Sequence, residues 1–261
     1  MVTGERIQGN RPPLRDKDLA SYSTGLFNEE GYSYCKKRTG RRAGGPSRTI
    51  AITMCDRDAL EPAARWWGLP VRQRGGRTVT CRDGPAFRIE ASGLRAELIL
   101  CEMTRYGLSR GKLVQWRKAL RGCRNKKSSP RRHATRRKTS LRRDSFLKGD
   151  LLARYSTGLF NGGGCSTCAK SGRYVYPRIT VTMCDRDALE PVGRWWGVNV
   201  RSRGGKMKVC TDGPAYRIST SGARAIIIVS EMMKYGLSNR KTEQWRKVLS
   251  QSRRAAQSVP R

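Results

Sequence analysis

Helical stretches and strands rich in β-branched residues follow one another in a fixed order along this chain, and the order runs through twice. A helix is predicted from about Asp16 to Gly31, and again from Asp150 to Gly164. Two strands follow each time, the second at Thr49–Met54 or Ile179–Met183. A second helix opens with a capping box, Asp58-x-x-Glu61 or Asp187-x-x-Glu190, with Pro62 or Pro191 in its first turn, and stops at Gly68 or Gly197. A hairpin with Gly75-Gly76 or Gly204-Gly205 at its tip comes next, then a strand at Phe87–Glu90 or Tyr216–Ser219. A third helix runs from about Gly93 to Tyr106, or Gly222 to Tyr235. Ser109 or Ser238 then caps a fourth helix carrying Trp116 or Trp245. Helix, hairpin, helix, strands, helix, helix is an α+β arrangement.

The two passes are a true internal repeat. Tyr22-Ser-Thr-Gly-Leu-Phe-Asn28 returns 133 residues later as Tyr155-Ser-Thr-Gly-Leu-Phe-Asn161, seven residues without change. Asp56–Gly68 matches Asp185–Gly197 at eleven of thirteen positions. The offset falls from 133 to 129, so the second copy lacks four residues between about Tyr32 and Thr53, where a hairpin loop absorbs a deletion. The chain divides into a polar N-terminal tail (1–16), a first repeat (17–121), an Arg/Lys-rich linker (122–149), a second repeat (150–251) and a basic C-terminal tail (252–261). The linker has almost no apolar content and is expected to be unstructured alone.

Period-2 alternation in the second-repeat hairpin places Arg201, Arg203, Lys206 and Lys208 on one face and Val200, Met207 and Val209 on the helix-packed face. Arg72, Arg74, Arg77 and Arg82 are the comparable residues of the first repeat, although Val79 interrupts the stripe. Such a face suits a DNA major groove or an RNA surface equally well. Charge strengthens this reading. The 261 residues carry 55 Lys and Arg against 20 Asp and Glu, a net +35. Self-repulsion at that density calls for a polyanion, and Arg binds phosphate bidentately. Trp66, Trp67, Trp195 and Trp196 could stack on bases, but adjacent helix positions point different ways, so at least one of each pair belongs to the core.

Nine cysteines form an odd set that sits mostly within apolar patterns, so free thiols and a reducing intracellular compartment are expected. Cys165-Ser-Thr-Cys168 lacks the second ligand pair of a zinc site, and no zinc is expected. No apolar run reaches the ~18 residues of a membrane span. The N-terminal stretch resembles neither a signal nor a transit peptide.

The paired segments Thr24-Gly-Leu-Phe-Asn-Glu-Glu-Gly31 and Thr157-Gly-Leu-Phe-Asn-Gly-Gly-Gly164 resemble the motif of the LAGLIDADG homing endonucleases in their single-chain, two-repeat form. A common variant of that motif reads Ala-Gly-Leu-Phe-Asp-Gly-Glu-Gly. The small residues Ser23, Thr24, Gly25, Ser156, Thr157 and Gly158 would let the two motif helices pack as the seam between repeats. The resemblance implies a pseudo-dimeric monomer whose sheets form a basic saddle for double-stranded DNA. It also implies one acid per repeat at the penultimate motif position, holding Mg²⁺ beside the scissile phosphates. Glu30 is that catalytic and metal-binding residue in the first repeat; its counterpart is Gly163, which ligates nothing. Glu29 could turn toward the metal, but the second repeat offers no nearby carboxylate. Asn28 and Asn161 stand where the family usually has Asp, a position more structural than catalytic. Two functions follow. One is recognition of a long DNA site with cleavage or nicking by a half-lost metal centre. The alternative is a non-catalytic protein binding structured RNA on the same fold, like an intron maturase or a ribosome-associated protein.

Overall fold

The computed structural model describes residues 16–36, 46–74, 85–123, 148–203 and 214–257. The first repeat runs α1 (Lys17–Glu30), β1 (Gly31–Lys36), β2 (Ser47–Met54), α2 (Arg57–Trp67), β3 (Arg72–Arg74), β4 (Ala86–Ser92), α3 (Leu94–Arg105) and α4 (Arg110–Gly122). The second runs α5 (Asp150–Gly163), β5 (Cys165–Ser171), β6 (Tyr174–Met183), α6 (Arg186–Trp196), β7 (Arg201–Arg203), β8 (Ala215–Ser221), α7 (Ala223–Lys234) and α8 (Asn239–Gln257). Each repeat folds an antiparallel four-stranded sheet, in the orders β1-β2-β4-β3 and β5-β6-β8-β7. The α+β class and the duplication are as the sequence pattern predicts.

One face of each sheet packs against the helices, with clean alternation of buried residues along β6, whereas β2 is buried throughout Thr49–Ile52. Ile50, Ile52 and Ile89 are fully buried, with Leu60 and Trp67 of α2 and Ile99 and Met103 of α3 in the same cluster. Ile179, Val181 and Ile218 pack with Leu189, Trp196, Val229 and Met232 in the second repeat. Each such side chain contributes about 1.5–3 kcal/mol by leaving water. Among the described residues no helix is long and apolar enough to cross a membrane.

Several local details differ from the sequence reading. The capping boxes do not form: α2 and α6 begin two residues earlier, after Asp56 and Asp185. Pro62 and Pro191 therefore lie inside their helices rather than in the first turn. Asp58 and Asp187 are spent on the opposite repeat instead, as described below. Gly68 and Gly197 do close these helices, in the left-handed region at φ 58° and 64°. Helix α8 continues to Gln257 with Ser252 buried, so residues 252–257 extend the fourth helix where a tail was expected. Both Trp66 and Trp67 are fully buried, and Trp67 Nε1 donates to Ser23 Oγ at 2.8 Å.

Cys55 and Cys184 are each disulfide-bonded, which corrects the expectation of free thiols there. An odd cysteine count in apolar patterns carries no information about which sulfurs the fold brings together. Cys35, Cys101, Cys123, Cys165 and Cys168 are free.

Candidate active site at the helix seam

The two motif helices α1 and α5 cross at Gly25 and Gly158. A Cβ on Gly25 would stand 2.9 Å from the Leu159 amide nitrogen and closer still to the Tyr155 carbonyl oxygen. Gly158 has the mirror relation to Leu26 and Tyr22. The other four small residues are buried beside this crossing but bond within their own repeat. Ser23 and Ser156 accept from Trp67 and Trp196, while Thr24 and Thr157 donate back to Ala20 and Ala153.

Polar bonds lock the crossing. Asn28 Nδ2 donates to Tyr155 Oη at 2.7 Å and to the Gly107 carbonyl at 2.9 Å, and its Oδ1 accepts from the Ser109 amide at 2.9 Å. Asn161 makes the same three bonds with Tyr22, Gly236 and Ser238. Each asparagine thus ties its own helix to the start of the fourth helix of its repeat and to the tyrosine of the other motif helix. The acids before and within α2 and α6 reach across as well. Asp56 Oδ2 accepts from Ser238 Oγ at 3.2 Å, and Asp58 from the Asn239 amide at 2.6 Å. Asp185 accepts from Ser109 Oγ at 2.6 Å, and Asp187 from the Arg110 amide at 2.9 Å. Carboxylates at the N-termini of α8 and α4 meet the positive ends of those helix dipoles.

At the C-terminal end of the seam lie the two glutamates of α1. Glu30 lines a cavity of about 510 Å³ with Asp56, Asn161, Gly162, Arg240 and Lys241. Glu29 leans the other way, over the second repeat. Its Cγ stands 2.8 Å from where a Cβ on Gly162 or Gly163 would be, and its Oε1 occupies the space of a Gly163 side chain. The glycine pair is what makes room for it. Glu29 Oε2 is sealed from solvent with no hydrogen-bond partner. Burial, and then the charge of Glu30, pushes the Glu29 carboxyl up to about 8 from 4.5. Burial raises Glu30 as well, opposed by Lys112 and Lys241.

Those two lysines are functional candidates that the sequence reading missed. Lys112 is buried and its Nζ donates to the Gly31 carbonyl; Lys241 Nζ donates to the Gly164 carbonyl. Burial lowers the pKa of both. Their signal was available: they occupy equivalent positions of the repeat, as do Asp56 and Asp185. Among the described residues no three His, Cys, Asp or Glu side chains converge as a metal-ligand set. A buried carboxylate oxygen without a partner, beside a second carboxylate, nevertheless fits a hard cation that takes its other ligands from phosphate and water.

The open sheet faces flank this seam. Arg72 and Arg74 are exposed on β3, and Arg72 pairs across the ladder with Arg88. Arg201 and Arg203 are exposed on β7, and Arg201 pairs with Arg217. Register therefore extends each basic stripe onto the neighbouring strand, which sequence alternation in one hairpin did not reveal. Arg88 also lies 5.6 Å over the rings of both Tyr32 and Tyr34, which stack on the same face. Arg77, Arg82, Lys206 and Lys208 lie outside the described residues.

Neither a protein-family model nor a curated protein sequence matches the chain. Solved structures do. I-LtrWI, a LAGLIDADG homing endonuclease bound to target DNA, superposes with a TM-score of 0.58 at 16% identity, covering 93% of this chain and 92% of that one. I-GzeII in complex with its DNA target gives 0.57 at 11% identity over 90% and 89%. The meganuclease I-CpaMI bound to uncleaved DNA gives 0.56 at 12% identity over 88% and 90%. The chain has the LAGLIDADG homing endonuclease fold. At these identities the likeness establishes the architecture, in which α1 and α5 are the two LAGLIDADG helices and the two repeats occupy one chain. The chemistry has to be argued from the residues at the seam.

Proposed function

We propose that this protein binds a long double-stranded DNA site across its two sheets and cleaves or nicks it at the helix seam with a divalent cation, Mg²⁺ being the cellular candidate. The observation that carries the reading is placement: the helix seam sets Glu29 over the second motif helix and Glu30 in the cavity beside it, between two sheets carrying Arg72, Arg74, Arg88, Arg201, Arg203 and Arg217. These arginines supply phosphate contacts, which dominate affinity, and base-edge donors, which add specificity. Cross-repeat bonds from Asp56, Asp58, Asp185 and Asp187 hold the seam rigid, so the acids are fixed relative to both halves of a bound duplex. Lys112 and Lys241 place positive charge against the motif-helix ends and offset the repulsion between the paired carboxylates. A bound divalent cation would supply Lewis-acid stabilisation of charge developing on a phosphodiester. I-SmaMI, another protein of this fold, was observed on uncleaved DNA in the presence of calcium ions.

The RNA-binding alternative draws on two features, the acid missing at Gly163 and the net +35 with an Arg-rich linker, and the structure bears on the first. Glu29 lying over that glycine weakens it. The test is selection of bound duplexes from a randomised library, followed by nicking of the enriched sequence with Mg²⁺. Enrichment of one long duplex, and cleavage abolished by Glu30→Gln, is the expected outcome. No enriched duplex, together with tight, salt-resistant binding to structured RNA, refutes the proposal.

A further inference from the structure

We infer that Glu29 is a metal ligand and supplies, from the first repeat, the carboxylate that the second repeat lacks. The inference deepens the proposed nuclease reading and rests on it. It makes the centre asymmetric in origin, with both acids from α1, while keeping one acid in each half of the site.

Three geometric facts carry it. The first is placement. Glu30 lies in the half of the seam lined by Asp56 and Lys241. The repeat equivalence assigns Gly163 to the other half, where Asp185 and Lys112 are the counterparts of Asp56 and Lys241. Glu29 reaches into that other half, with its Oε1 in the volume of a Gly163 side chain. The second is room. A Cβ at Gly162 would stand 2.8 Å from the Cβ and Cγ of Glu29, and one at Gly163 would overlap its carboxylate, so Glu29 in this position needs both glycines. The third is the unmatched oxygen. Glu29 Oε2 is excluded from solvent with no hydrogen-bond partner, although lysines and hydroxyls elsewhere at the seam are paired. A buried carboxylate oxygen without a donor is costly unless a cation or a proton meets it.

The second repeat has Asn161 and Gly162 where the first has Asn28 and Glu29. An acid restored at Gly163 therefore competes with Glu29 for the same space. That reciprocity gives a rescue experiment. Mn²⁺ binding to the full chain is measured by isothermal titration calorimetry for the wild type, Glu29→Gln, Glu30→Gln and the exchange variant Glu29→Gly with Gly163→Glu. Melting in chelator verifies that each variant folds. The wild type is expected to bind Mn²⁺, with each single substitution weakening it at least about tenfold, a loss of about 1.4 kcal/mol. The exchange variant is expected to recover to within about threefold of the wild type. Wild-type affinity in Glu29→Gln overturns the inference; if Glu30→Gln still weakens binding, the nuclease reading stands without it. Absence of Mn²⁺ binding by the folded wild type overturns the inference too, and duplex selection then decides whether DNA binding survives. Failure of the exchange variant to recover, with its fold intact, overturns the claim that Glu29 stands in for the residue at position 163.

Discussion

Replacing Gly25 or Gly158 by alanine tests the seam directly, because two effects of opposite sign compete there. Helix propensity favours alanine over glycine by about 0.8–1 kcal/mol in a helix interior. Against it, the new Cβ at Gly25 would meet the Leu159 nitrogen at 2.9 Å and the Tyr155 carbonyl oxygen more closely. Restoring an ordinary C···O separation of about 3.3–3.6 Å requires the helices to part by about 1.2–1.5 Å. That displacement also strains the two bonds from Asn28 and Asn161 to the partner tyrosines, both 2.7 Å now. Overpacking costs about 1–3 kcal/mol and each weakened bond about 0.5–1.5 kcal/mol. With the propensity gain subtracted, the net loss for either single variant is about 1–5 kcal/mol. Urea denaturation followed by fluorescence of the buried tryptophans measures it, and thermal melting should fall by about 2–4 °C per kcal/mol. The double variant should lose less than the sum, since the first substitution already parts the helices. A single variant as stable as the wild type, or more so, would refute the close approach, because propensity alone predicts that result.

The remaining predictions concern charge. The folded state raises the Glu29 carboxyl from 4.5 to about 8. The native chain thus keeps a proton that the unfolded chain releases, and stability in chelator should fall as pH rises from about 4.5 to 8. At about 1.4 kcal/mol per pKa unit the loss above pH 8 is at most about 5 kcal/mol, and Glu29→Gln should abolish it. Stability profiles of the two proteins that stay parallel across this window would contradict the buried, ionisable Glu29. On the sheet faces, Arg201→Ala or Arg203→Ala should each lower the slope of log binding constant against log salt by about one for a selected duplex. A slope unchanged in both variants would remove β7 from the interface.

The sequence alone determined the element order, the duplication and the seam. Those features depend on local chemistry: glycines that end helices, β-branched strands, and the small residues of Tyr22–Asn28 repeated at Tyr155–Asn161. It also located the basic hairpin strands, because alternation is a local pattern. What it missed were relations between residues far apart in the chain. Asp58 and Asp187 read as caps of their own helices, yet they bond to amides about 180 and 80 residues away, since the seam brings the opposing helix N-termini to them. Lys112 and Lys241 drew no reading from the sequence, because only the fold places them under the motif-helix ends. The change from Glu29-Glu30 to Gly162-Gly163 read as the loss of an acid, because a sequence aligns residue 163 with residue 30 and not with the side chain that fills its space. Packing decided otherwise: two glycines opened a volume on one helix, and a glutamate from the other helix occupies it.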